Sequence, residues 1–297
     1  MDITLLSDDR SGRRFRVTIY GFYLDTVYIE GKSFSSISLP TASYPLEKGN
    51  PEIPKLEVSV IIPDEGGVEC QILDEDTVMF DILPVAPSKG SLLRNVNPET
   101  IPYTFNEIYE SGEWYPVNPY ELREPFGIRD YRGITIRLNI FRHNPALKRL
   151  KVARNFEVIV TYEKPQLVYR DSISESFWEI YDDLFLNFSP NRYGVLMHGI
   201  RMTIITHYAF YNEAMRLREW KMKKGIIVRE VHSVSYPTAD YIKNYIYDQY
   251  LAGVDYFLFI GDLTHIPSLR EEGWLSDPRY VIIYPNSEDP YPDAFIS

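Results

Sequence analysis

Cysteine is almost missing from this chain: Cys70 is the only one in 297 residues. A lone thiol closes no internal disulfide and builds no thiolate metal site. Histidine is also sparse, with five residues. No His-x-x-x-His or His-Glu-x-x-His spacing occurs, which excludes a zincin-type site. Positive charge is in deficit. Lys plus Arg number 31 against 42 Asp plus Glu, a formal net charge of −11, which argues against a broad nucleic-acid footprint. No stretch approaches the roughly 20 apolar residues that span a bilayer. The opening MDITLLSDDRSGRRFRV holds no apolar run long enough for a signal peptide. Either the protein is cytoplasmic, or the start of a longer precursor is missing. Phosphate-cradling glycine loops and a Gly-x-Ser-x-Gly elbow are absent too.

What is abundant is aromatic and apolar. Hydrophobic residues make up 44%, with 24 Tyr and 15 Phe. Disordered chains lack such content, so most of the sequence should fold, and the length suits about two domains. Residues 1–163 read as strands. Arg14–Tyr20, Leu56–Ile62, Val78–Leu83, Ile134–Phe141 and Phe156–Tyr162 are β-branched or aromatic runs separated by Pro, Gly, Asn and Asp. Ile136, Leu138 and Ile140 alternate with polar residues, the mark of a sheet solvated on one side. An all-β, sandwich-like region is expected. Two Pro-rich stretches, Ser38–Pro54 and 97–127, read as extended loops. The second is either packed over the sheet by Trp114, Tyr115 and Phe126, or an arm reaching to another domain.

Residues 164–199 read as a linker holding a short helix with Phe177, Ile180, Leu184 and Phe185 on one side. From residue 200 the pattern becomes β-α-β-α-β. Met202–Thr206, Ile226–Val231 and Tyr256–Ile260 are short strands. Tyr208–Lys224 is a helix with an apolar stripe of Phe210, Ala214, Leu217 and Trp220, closed by Gly225. A second helix takes Thr238 as N-cap, carries Ile242, Tyr245, Ile246 and Tyr250, and ends at Gly253. Alternating strands and helices imply a parallel sheet. Three strands leave both borders bare, so 200–297 is expected to be an incomplete α/β domain, poorly soluble by itself. The whole is expected to be an α+β two-domain protein.

Open parallel sheets bind ligands beyond the carboxyl ends of their strands. Those ends carry His207, His232 and Asp262. Asp262 with either histidine could serve as acid and base, or Asp262 could simply cap the turn that follows. Asp277, Glu288, Asp289 and Asp293 supply hard oxygens that could suit Ca²⁺, though without helix–loop–helix calcium spacing; a solvated acidic loop is the alternative. Cys70 has no activating histidine beside it and reads as a small buried apolar residue.

Several segments together resemble a known family. They are ITHYAFYNEAMRLREWKMKKGIIVREV, TADYIKNYIYDQYLAGVDYFLFIGDLTHIPSL and SDPRYVIIYPNSEDPYPD, preceded by GNPEIPKLEVSVIIP and IRDYRGITIRLNIFRHNPALKRLKVARNFEVIVTYE. Their order is similar to the propeptide plus the first half of the catalytic domain of gingipain-type cysteine peptidases, over roughly residues 35–297. The resemblance implies a propeptide-like domain at 1–163, a linker at 164–199 and an incomplete caspase-like catalytic domain at 200–297. It implies a secreted or surface cysteine endopeptidase precursor acting on protein substrates, with its own catalytic domain as the propeptide's partner and no required cofactor. It places the reactive His and Cys beyond Ser297, so this chain alone should be inactive; Cys70 and His265 do not occupy those positions. Arg123, in the Pro-stiffened arm, is the candidate masking residue. The alternative is a non-catalytic secreted binding or surface protein of the same architecture.

Overall fold

A computed structural model describes residues 1–297 apart from 167, 169, 171, 190–195, 236–237, 272, 284–288 and 290. Contacts divide the chain into two compact units that do not follow sequence order. Unit 1 is Met1–Ser59, Glu65–Arg123 and Thr135–Leu167. Unit 2 is Val60–Asp64, Glu124–Ile134 and Val168–Ser297.

The strands of the first half are β1 (Asp2–Asp8), β2 (Gly12–Thr18), β3 (Tyr23–Ile29), β4 (Lys32–Ser38), β5 (Leu56–Ile62), β6 (Val68–Asp81), β7 (Tyr120–Leu122), β8 (Phe126–Ile128), β9 (Tyr131–Leu138), β10 (Phe141–Asn144) and β11 (Arg149–Tyr162). The largest sheet of unit 1 is antiparallel, in the order β1-β2-β11-β10, with β6 also paired to β11. Phe15 and Val17 of β2 and Phe156, Val158 and Val160 of β11 are almost fully buried. On the same strands Glu157 pairs with Arg14 and Arg16. β3 and β4 form a hairpin whose turn residues, Glu30 and Gly31, both have positive φ (49° and 77°), the conformation that suits strand twist in two-residue turns. The region is mostly β, as its pattern indicates. Helix in the first 163 residues amounts to a three-residue 3-10 turn at Pro98–Thr100 and a four-residue α1 (Ile108–Ser111).

The arm 97–127 holds more regular structure than its prolines imply. The three-residue strand β7 forms inside it and β8 begins at its end, each placed clear of Pro119 and Pro125. In unit 1, Tyr115 exchanges main-chain hydrogen bonds with His143, and the Tyr109 hydroxyl donates to the Val85 carbonyl.

Unit 2 adds β12 (Ser172–Ser174), α2 (Trp178–Leu184), β13 (Leu196–His198), β14 (Arg201–His207), α3 (Tyr211–Lys223), β15 (Ile227–Val234), α4 (Ala239–Leu251), β16 (Tyr256–Ile260), β17 (Arg270–Glu271), β18 (Trp274–Leu275) and β19 (Phe295–Ile296). The main sheet is parallel, in the order β15-β14-β16-β19. A helix covers each face. Ala214 and Leu217 of α3 pack with Met202, Ile204 and Val228. Ile242 and Ile246 of α4 pack with Ile205 and Phe257. Trp220, expected on the buried stripe of α3, is 49% exposed; the helix buries only Ala214 fully. Gly225, at φ +86°, lets the Ile226 N–H reach back to the Lys221 carbonyl and close α3. The Thr238 side chain caps α4 by accepting from the Tyr241 N–H at 3.1 Å.

The sequence reading expects three strands here; the structure has four. Phe295–Ile296 pairs in parallel with Tyr256–Phe257, and the Phe295 ring stacks on Tyr256 with centroids 4.6 Å apart. The apolar border of β16 is thus paired over two residues. Too short to show an alternating pattern, β19 is defined only by its neighbour.

Candidate functional site

Two places in unit 2 gather chemistry, at opposite ends of the parallel strands. At the carboxyl ends, β14 delivers His207 and the turn after β16 delivers Asp262. Gly261 and Asp262 begin a tight turn in which the Asp262 carboxylate accepts from the Thr264 N–H (2.8 Å), the Thr264 hydroxyl (2.6 Å) and the His265 imidazole (2.7 Å). These donors hold its pKa down to about 2, the Thr264 hydroxyl most strongly. Asp262 therefore caps its own turn and also orients His265. The His207 ring lies 4.8 Å from that of His265, and Phe210 4.9 Å from it. His207 Nδ1 accepts from the Ala209 N–H at 3.2 Å, so that nitrogen caps the next turn. His232, on β15, stacks on Tyr245 at 4.0 Å and bonds the Tyr241 hydroxyl at 3.0 Å. The sheet crest thus joins Asp262, His207 and His265, the last not singled out from sequence.

At the amino ends of the same strands lies a seat for the β8–β9 hairpin. Its two-residue turn is Arg129-Asp130, between the paired Ile128 and Tyr131. Arg129 has φ +50°, a left-handed conformation that costs a non-glycine residue on the order of 1 kcal/mol. The strain is held in place by contacts. The Arg129 N–H donates to Asp293 Oδ1 at 3.0 Å, and its carbonyl accepts from the Tyr250 hydroxyl at 2.9 Å. Its guanidinium donates to the Val254 carbonyl at 2.8 Å, pairs with Asp255 at 3.3 Å and lies 4.4 Å above the Tyr250 ring. Beside it the Gly127 N–H donates to Asp289 Oδ2 at 2.7 Å. Asp130 accepts from the Ser174 N–H and the Tyr181 hydroxyl, at 2.9 and 2.8 Å, and Ser174 Oγ donates to Asp255 at 2.8 Å. Asp255 is fully buried. Burial raises its pKa, against the pull of Arg129 and Ser174; burial likewise raises that of Asp289. A cleft of about 260 Å³, lined by Arg129, Tyr250 and Asp293 among others, opens beside the turn.

Three of the four acidic residues offered for a cation accept hydrogen bonds from the protein. Asp289 and Asp293 each accept main-chain N–H groups, the second oxygens from Tyr291 (3.0 Å) and Ile283 (2.7 Å). Asp277 accepts from the Ser268 hydroxyl at 2.8 Å. Glu288 lies outside the described residues. Among the described residues no three His, Cys, Asp or Glu side chains converge as a metal site. Arg123 is exposed, with its N–H donating to the Thr135 carbonyl at 3.0 Å. Sequence reasoning also missed Lys243 of α4. Its ammonium donates to the carbonyls of Arg279, Tyr280 and Ile282 at 2.6–2.9 Å, and burial lowers its pKa to about 8. Among the described residues no helix is long and apolar enough to cross a membrane.

The comparisons with known proteins fall on both sides of the seat. The propeptide model of peptidase family C25 matches residues 1–194, and the Peptidase family C25 model matches 197–297. The chain belongs to the gingipain-type C25 family. Gingipain R1 of Porphyromonas gingivalis is 28% identical over 261 residues, 84% of this chain but 26% of that relative. Lys-gingipain of the same organism is 23% identical over 221 residues, 70% of this chain and 13% of that protein. The C25 chain therefore spans about a quarter or less of the length of these relatives. The solved complex of P. gingivalis RgpB pro- and mature domains shares the fold, at a TM-score of 0.56 and 24% identity, covering 63% of this chain and 98% of that one. In C25 terms, the hairpin lies in the propeptide match and its carboxylate seat in the peptidase match.

Proposed function

We propose that this chain is the N-terminal part of a secreted gingipain-like cysteine endopeptidase precursor, in which the β-rich region keeps the peptidase latent. In this reading the reactive His and Cys are supplied by sequence beyond Ser297. An imidazole there activates the thiolate for attack on a peptide carbonyl, and main-chain N–H groups hold the oxyanion. The crest with Asp262, His265 and His207 borders the substrate cleft, because parallel sheets bind ligands at that end. The observation that carries the reading is a propeptide-family match over 1–194 followed by a peptidase-family match over 197–297. Arg123, exposed in the arm 97–127, is the masking residue of this proposal.

The test compares casein hydrolysis by the 297-residue chain with that by a protein continuing past Ser297. The first should be silent. The second should become active when 1–194 is cut away, and Arg123→Ala should release part of that activity without cutting. Hydrolysis by the 297-residue chain would overturn the placement of the reactive pair. Equal activity before and after removal of 1–194 would overturn latency.

A further inference from the structure

We infer that Arg129 is the latch that fastens the propeptide region to the peptidase region, and that the latch sits at the amino ends of the parallel strands, away from the crest. The inference rests on the family assignment of the two segments and names the partner surface. The partner is this chain's own peptidase segment, recognised through Asp255, Asp293 and the ring of Tyr250.

Four features support it. The Arg129 guanidinium contacts a carbonyl, a carboxylate and an aromatic face, all three in the peptidase segment. Its backbone is bound from the same segment at both N–H and carbonyl. The residue stands at φ +50°, where a turn selected for geometry alone would carry Gly or Asn; an arginine there is explained by what its side chain reaches. Finally, Asp255 is fully buried, and a buried carboxylate whose cation leaves is strongly unfavourable. The seat therefore favours the bound hairpin over water. The crest lies at the other end of β16, five residues away, or on the order of 15 Å at about 3.3 Å per residue. Fastening and masking are thus separate tasks: the latch holds whether or not the crest is covered.

The experiment uses the full chain with a protease recognition sequence and a glycine–serine spacer inserted between Arg192 and Tyr193. After cutting, the two pieces of the wild type should co-elute on size exclusion and stay paired in native mass spectrometry. Arg129→Ala should weaken the pairing at least a hundredfold. Arg129→Lys, which keeps the charge and loses the planar fork, should dissociate at an intermediate rate. Near-ultraviolet circular dichroism before cutting checks that each variant folds; if Arg129→Ala does not fold, the Lys variant decides. Separation of the wild-type pieces, or Arg129 variants pairing as tightly as wild type, would overturn the latch. Neither result bears on whether a longer protein is a latent peptidase, which casein hydrolysis reads.

Discussion

Single residues in unit 1 show burial setting chemistry. Cys70 is 5% exposed on β6, and burial pushes its thiol up to about 12. A thiol so far above neutrality holds almost no thiolate. Iodoacetamide at pH 8 should leave Cys70 unmodified in the folded chain and label it fully in urea, as mass spectrometry would show; rapid labelling of the native protein would contradict this. His143 is fully buried. Its Nε2 accepts from the Val85 N–H at 3.2 Å, so its Nδ1 carries the proton and donates to the Arg149 carbonyl at 2.9 Å. Burial lowers its pKa to about 4 from an ordinary 6.5. Between those values the unfolded chain binds more protons than the folded one, so stability falls as pH drops through that window. The slope approaches about 1.4 kcal/mol per pH unit. Urea midpoints at pH 7, 5.5 and 4.5 should decline accordingly, and His143→Gln should flatten the decline while lowering the whole curve. The burial of Cys70 was legible in the sequence, where it lies in an apolar strand pattern without a histidine beside it; that of His143 was not.

Elements turn on close approach. Gly133 of β9 faces Phe126 and Phe185, and an added Cβ would meet their rings at 2.7 and 2.5 Å. Gly133→Ala should cost on the order of 1–3 kcal/mol by overpacking, read as a lower urea midpoint. At α4, Thr238→Ala removes the cap bond and should cost about 1 kcal/mol; an unchanged melting temperature would show that the cap does not matter there. The two long helices, their caps and the strands Leu56–Ile62 and Tyr256–Ile260 were legible because their periods and punctuation are local. β1, β3 and β4 were not: residues such as Ser7, Thr26 and Ser35 carry no apolar alternation, and pairing alone makes them strands.

At the scale of the molecule, unit 2 is assembled from three separate stretches of chain. Phe126 packs on Tyr291 with centroids 4.5 Å apart, and Phe177 on Phe295 at 4.8 Å. Asp255, Asp289 and Asp293 find their partners in the earlier stretches. Residues 197–297 expressed alone would expose those rings and strand a buried carboxylate. They should therefore lack a cooperative thermal transition by circular dichroism, while the full chain shows one. A sharp monomeric transition of that piece would mean the seat is dispensable for folding.

The sequence by itself determined the β-rich first region, the parallel α/β second region and the family, because strand and helix periods and motif order are properties of neighbouring residues. It also marked the strand ends, since a buried apolar run followed by Gly261-Asp262 announces where a parallel strand stops. Only the tertiary structure decided that Arg129 reaches the peptidase carboxylates of unit 2, that Asp289 and Asp293 hold main-chain N–H groups, and that Phe295–Ile296 pairs with Tyr256–Phe257. Arg129 with Asp255 and Asp293, and Gly127 with Asp289, stand more than a hundred positions apart, and a two-residue strand is too short to carry a period. Their meeting is fixed by packing and by the need to satisfy buried charge.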